Sequence, residues 1–292
     1  MNRLLGFILI LVLAAGFVGC SDDDEDLIIV TSKPITPQGV TSVTGNAAVH
    51  VFWYGPYQAD IASFRVWRSL EPVDNYIMIG TIQAESNPNL DLIQYEFIDA
   101  SAPNGQTFFY AVTSVDRGGR ESELSAENVF DTPRPEGDVS LWASLSEFPG
   151  FSGYVLSEDL RVDWNSAAAD VYVDSVDGVF FLNARDVDTD LQDVGFTSSF
   201  DDIGWAPTEG WSVNGWTELI LGHTYIIWTR DLNYAKMRVE SINTGSVTFQ
   251  WAYQTVADLP ELAPGHVGAE KPQHGPEYLR KINSGADQSV DR

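Results

Sequence analysis

Between residues 34 and 133, apolar side chains recur at every second position in short runs, and turn signals separate the runs. Val49, Val51 and Trp53 fall on one side of such a run, with His50, Phe52 and Tyr54 on the other. A β-strand sends successive side chains to opposite faces, so this alternation predicts strands. Phe64 and Val66 repeat the pattern, as do Ile77, Ile79 and Thr81. Turns are expected at Gly55-Pro56, Pro103-Asn104-Gly105 and Arg117-Gly118-Gly119. About seven short strands in a hundred residues predict an antiparallel sandwich.

The same residues resemble a fibronectin type III domain over nearly the whole segment. Ala48-Val49-His50-Val51-Phe52-Trp53 is similar to its second strand with the buried Trp, and 61–68 to the next. The stretch 105–116, Gly-Gln-Thr-Phe-Phe-Tyr-Ala-Val-Thr-Ser-Val-Asp, is similar to the penultimate strand. Phe108 stands where the family carries its corner tyrosine, so the resemblance implies a sandwich without that hydroxyl bond to backbone. No Arg-Gly-Asp tripeptide is present. A spacer or docking module is the expected role.

Residues 138–262 are also β-rich. Val171-Tyr172-Val173 and Val179-Phe180-Phe181-Leu182 flank Asp177-Gly178, a hairpin signal because that pair accepts positive φ. Asn243-Thr244-Gly245 marks a second hairpin, and Glu218 to Leu221 is expected to turn at Gly222-His223 into Thr224 to Trp228. No stretch sustains a helical period. The fold class expected is all-β, with a fibronectin type III-like antiparallel sandwich followed by a second antiparallel sandwich or flattened barrel. Asp163-Trp164-Asn165, 169–173, 206–211, 228–231 and 234–239 together resemble HmuY-type lipoproteins. That resemblance implies a β-rich surface protein and, as an alternative function, capture of haem or another small ligand.

The first residues set the compartment. Met1-Asn2-Arg3 is basic, Leu4 to Val18 is apolar and uncharged, and Gly19-Cys20 follows, as in a secretory signal. The apolar stretch is shorter than the roughly 20 residues a spanning helix prefers. Phe17-Val18-Gly19-Cys20 resembles the lipobox of bacterial lipoproteins, with Phe17 in the place of the usual Leu. Cys20 is the single cysteine, so it has no disulfide partner within the chain, and lipidation there is the expected use. Ser21-Asp22-Asp23-Asp24-Glu25-Asp26 is read either as a solvated spacer or as a surface-sorting signal. Ser21 after Cys20 favours the outer membrane by the same resemblance. The net charge of −26 repels phosphate backbones and anionic headgroups. Nucleic acid is thereby excluded as a partner, and the membrane is reached through covalent lipid.

The chain accordingly divides into a signal peptide (1–19), a lipidated and acidic tether (20–33), the first domain (34–133), a Pro-bearing linker (134–137), the second domain (138–262) and a disordered tail (263–292). Among candidate sites, Trp205, Trp211 and Trp216 lie in a Gly- and Pro-containing stretch, where exposed aromatics could stack on a sugar or a partner. Core anchoring of a loop is the competing reading. Asp186, Asp188 and Asp190, with Asp193 nearby, alternate as in calcium loops, yet Leu191 stands where such loops carry Gly and Thr197 where they close with Glu. A solvated acidic loop is therefore expected. For haem, His223 and Met237 are the available ligands in this domain. The chain has no Gly-x-Ser-x-Gly elbow, His-Glu-x-x-His pair or phosphate-cradling Gly loop. The expectation is a non-enzymatic protein without a cofactor, which binds or adheres to a protein or glycan.

Overall fold

The computed structural model describes residues 32–263, except 57–59, 86–91 and 128. Cys20, the acidic run and nearly all of the expected tail lie outside the described residues. The described part of Lys33–Arg292 belongs to one compact unit, and its named strands pair antiparallel throughout. No helix among these residues is long and apolar enough to cross a membrane.

The first seven strands are β1 (Gln38–Gly45), β2 (Ala48–Pro56), β3 (Ile61–Ser69), β4 (Ile77–Gln83), β5 (Leu92–Asp99), β6 (Phe108–Asp116) and β7 (Val129–Asp131). They form a three-stranded sheet, β1-β2-β5, and a four-stranded sheet, β4-β3-β6-β7. This is a fibronectin type III-like sandwich. Val49, Val51 and Trp53 of β2 point inward against Phe64, Val66 and Tyr110, as the alternation requires. Trp53 stacks on Tyr95 at 5.8 Å and meets Phe64 edge-on at 5.8 Å.

Two local expectations give way to packing. Gly55-Pro56 is not a turn, because β2 continues through it and pairs with Ile93 and Leu92 of β5. A β-carbon on Gly55 would lie 2.4 Å from Cζ of Phe64, so the glycine admits a core ring rather than a bend. In β4 the register against β3 shifts between Val66 and Trp67. An irregularity of that kind resets which residues face inward. Ile79 and Ile82 therefore pack on the core, while Ile77 is 59% exposed. At the corner no hydroxyl reaches backbone from position 108, as expected from its Phe. Phe108 is buried with the Arg68 guanidinium 4.4 Å over its ring, and Tyr110, two residues on, carries the hydroxyl.

Tyr110 donates to Oδ2 of the buried Asp99 at 3.0 Å, where Arg68 donates at 2.8 Å, and the Ser101 hydroxyl donates to Oδ1 at 2.7 Å. Burial alone would raise the Asp99 carboxyl. The hydrogen bonds from Ser101, Arg68 and Tyr110 outweigh it and hold the group below the usual range.

The remaining strands are β8 (Glu136–Trp142), β9 (Gly153–Val155), β10 (Leu160–Val162), β11 (Val171–Val176), β12 (Val179–Ala184), β13 (Asp190–Phe196), β14 (Trp216–Glu218), β15 (His223–Trp228), β16 (Tyr234–Asn243) and β17 (Ser246–Tyr253). They make two five-stranded sheets, β10-β9-β11-β12-β14 and β13-β15-β16-β17-β8. Of the two architectures expected, this is the sandwich. Val171, Val173 and Leu182 of one sheet pack against Tyr225, Met237 and Phe249 of the other, all fully buried. Asp177 (φ 51°) and Gly178 (φ 83°) form the β11–β12 turn, the double positive φ that joins two strands of right-handed twist. The expected turn at Gly222-His223 does not close a hairpin. β14 pairs with β12, whereas β15 pairs with β13 and β16, so the chain changes sheets there.

The stretch expected as a linker, 134–137, is neither free nor solvated. Arg134 is fully buried and Glu136-Gly137 already belong to β8. Backbone hydrogen bonds tie it to both modules, from Gly105 to the Pro133 carbonyl (2.8 Å) and from Tyr253 to the Pro135 carbonyl (3.0 Å). Glu261 accepts the Thr132 amide (2.6 Å) and hydroxyl (3.3 Å). Arg134 donates to Glu136 at 3.1 Å, while its Nε and Nη2 find no hydrogen bond among the described residues.

Lys236, also fully buried, donates to the carbonyls of Phe200 (2.7 Å) and Ile203 (3.4 Å) and lies 3.5 Å from Asp201. Burial and the neighbouring Arg134 push its ammonium down to about 7, against the pull of Asp201 and Glu136. An unfolded lysine titrates near 10.4. Between these values the unfolded chain holds a proton that the folded protein has released, so stability rises with pH from about 7 upward. Below that window both states are charged and the full cost of burying the ammonium remains. Urea titrations at pH 7, 8 and 9 are expected to show stability climbing by at most about 1.4 kcal/mol per pH unit. Lys236→Met removes the climb, and a wild-type protein with level stability over that range would contradict this account of Lys236.

Candidate functional site

An exposed aromatic surface lies on the outer face of the β10-β9-β11-β12-β14 sheet. Because Val171, Val173, Phe180 and Leu182 fill the core, strand geometry turns Tyr172, Asp174, Phe181 and Asn183 outward. Register then aligns them. Tyr172 lies opposite Asn183, which lies opposite Trp216, while Asp174, Phe181 and Glu218 form the next row. Phe181 meets Trp216 at 5.4 Å, nearly perpendicular, and Trp164 meets Tyr172 at 5.7 Å. The result is two aromatic pairs with the strand bearing Asn183 between Tyr172 and Trp216.

Trp216 is 46% exposed and Trp164 37%. A tryptophan presents ~150–250 Å² of surface. At ~25 cal/mol per Å², covering the open part of Trp216 would return roughly 2–3 kcal/mol. The loop carrying Trp164 is held in advance. Arg185 donates to the carbonyls of Ser166 (3.1 Å) and Asn165 (2.9 Å), and the Trp164 amide donates to Ser152 Oγ at 3.1 Å. Burial, then the neighbouring Asp174, raise the Tyr172 phenol, with Arg185 opposing, so it stays a neutral donor.

The structure separates the three tryptophans grouped by sequence. Trp205 lies at the junction of the modules, 6.4 Å from the Phe130 ring. Trp211 packs 6.0 Å from Trp228 in a satellite cluster with Ile226 and Leu262, which covers the other sheet. Trp216 alone of the three reaches the aromatic face. Trp164, Tyr172, Phe181 and Asn183 were not among the site candidates read from sequence. Their signal was Val179-Phe180-Phe181-Leu182, a run apolar on both faces of a strand that a sandwich covers on one.

The acidic candidates do not converge. Asp186 pairs with Arg230 at 2.7 Å and accepts the Asp188 amide at 3.1 Å. Asp190 opposite Trp228 begins β13, with its carboxyl raised by burial. Asp193 instead holds the His223 imidazole, both carboxylate oxygens 3.0 Å from Nδ1. Among the described residues no three His, Cys, Asp or Glu side chains are grouped to hold a metal ion. Met237 is enclosed in the core, which leaves no room for a porphyrin between it and His223.

The described residues thus define an all-β protein of two packed sandwiches, the first fibronectin type III-like. No family model matches the chain. It is 29% identical over 126 residues to an amylopullulanase of Thermoanaerobacterium saccharolyticum, covering 43% of this chain and 9% of that protein. An amylopullulanase of Thermoanaerobacterium thermosulfurigenes is 28% identical over 134 residues, 46% of this chain and 6% of that one. The chain therefore spans less than a tenth of the length of these relatives. Among solved structures, an Fn3-like protein from Clostridium thermocellum has 23% identity and a TM-score of 0.26, covering 36% of this chain and 100% of that one. A DUF4466 family protein from Parabacteroides merdae has 10% identity and a TM-score of 0.44 over 77% of this chain and 96% of that one.

Proposed function

We propose that this chain is a non-enzymatic binding or adhesion protein of the cell envelope, held at the outer membrane by lipid on Cys20. Its second module presents the aromatic sheet face to a protein or glycan partner. The observation that carries this reading is the pair of preorganised aromatic contacts on an open sheet face, with two indoles left more than a third exposed. Exposed apolar patches of this kind on a folded protein mark interaction surfaces. The partial likeness to amylopullulanases agrees with a glycan as the partner.

Protease treatment of intact cells tests the tether. The wild type is expected in the membrane fraction, labelled by fatty acid and shaved from outside, and Cys20→Ala is expected to release it. Protein that stays membrane-bound in Cys20→Ala cells would end the lipid-anchor reading.

A further inference from the structure

Resting on that binding reading, we propose that the ligand of the aromatic face is a neutral polysaccharide chain lying across the strands. One sugar ring would sit on Trp216 and another on the Trp164–Tyr172 pair. Neighbouring strands lie about 4.8 Å apart, so Tyr172 on β11 and Trp216, two strands away on β14, are separated by roughly 10 Å. Two stacking stations at such spacing suit a polymer that repeats a flat apolar face, and a pyranose ring offers C–H faces with hydroxyl edges. The groups around the stations match those edges. Asn183 between them supplies an amide that both donates and accepts, with one of its N–H groups held by the Phe181 carbonyl at 3.3 Å, while in the adjoining row Glu218 and Oδ2 of Asp174, whose Oδ1 accepts from Ser144 and Ser175, face hydroxyls.

Charge decides which saccharides fit. Asp174 and Glu218 on the face, together with the −26 net charge, repel uronates and sulfated chains. Arg185, the guanidinium beside Tyr172, is already engaged by the carbonyls of Asn165 and Ser166. A protein partner would need about 800 Å² on this side with a well-packed apolar centre. The face instead offers two separated aromatic contacts with an amide between them, a layout suited to rings in sequence.

Affinity gel electrophoresis of the full chain carrying Cys20→Ala, with pullulan, hydroxyethylcellulose or polygalacturonate in the gel, tests this. At least one of the two neutral polymers is expected to retard the protein, and polygalacturonate is not. Trp216→Ala and Tyr172→Ala are expected to weaken binding at least tenfold with unchanged thermal unfolding, while Trp216→Phe keeps most of it. Val73→Ala, at a 78% exposed position in the first sandwich, is expected to leave binding unchanged. No retardation by either neutral polymer, equal retardation by polygalacturonate, or full binding by folded Trp216→Ala would each overturn the saccharide assignment. That result beside a surface-shaved, lipid-labelled protein defeats the saccharide alone. Saccharide binding by a protein that carries no lipid defeats the tether instead.

Discussion

Arg134→Met is expected to lower the unfolding free energy by about 3–5 kcal/mol, the range for removing one partner from a buried charge cluster. Arg134 is fully buried, and the carboxylates of Glu136, Asp201, Asp131 and Glu261 all act on it. Replacing a whole ion pair by apolar groups is often neutral. Here one cation serves several acids, so its loss leaves the negative charge of Asp131 and Glu261 enclosed, with Lys236 as the other cation acting on Glu136. Glu136 already shows the strain, since burial raises its carboxyl despite the guanidinium 3.1 Å away. Because the same stretch bonds to both modules, the variant is also expected to unfold them in two steps. Calorimetry on both proteins checks this, and a single unshifted transition would show that the cluster does not couple the sandwiches.

Asp99→Ala is expected to cost a similar amount, about 3–5 kcal/mol, within the first sandwich. The change strands the Tyr110 hydroxyl, which is fully buried, and takes the carboxylate from Arg68. The effect has a pH signature. The folded carboxyl lies below its ordinary value, so its contribution is complete above about 4 and disappears as pH falls through the folded value. Denaturation curves of wild type and variant should therefore stand apart at pH 7 and approach each other toward pH 2. A gap that persists unchanged in acid would mean that Asp99 acts through shape rather than charge. Tyr110→Phe, which removes a single hydroxyl from a charged acceptor, should cost less, about 1.5–3 kcal/mol.

These two residues show where sequence reading stops. Arg134 stands between Pro133 and Pro135, a composition that reads as a solvated linker, and nothing local predicts that a charged side chain there will be enclosed. Its burial follows from Glu261, 127 positions later, returning to bond Thr132. Tyr110 falls in the stretch read as the penultimate strand, but its acceptor on β5 was not legible, because the bond joins the two sheets.

The candidate face follows the same rule. The alternation of Val171, Val173, Phe180 and Leu182 determined from sequence alone that Tyr172, Phe181 and Asn183 would share the opposite side, since the strand period is two. The Asp177-Gly178 turn determined the register between those strands, since only certain residues accept positive φ. Which further elements complete the face was decided by tertiary structure. Trp216 joins it because β14 pairs with β12 before the chain crosses to the other sheet, and Trp211, five residues earlier, is drawn into the cover of that second sheet. Short-range periodicity dictates which side of a strand a residue occupies. Which strand lies beside it, and what covers each side, depends on long-range pairings that no local pattern encodes.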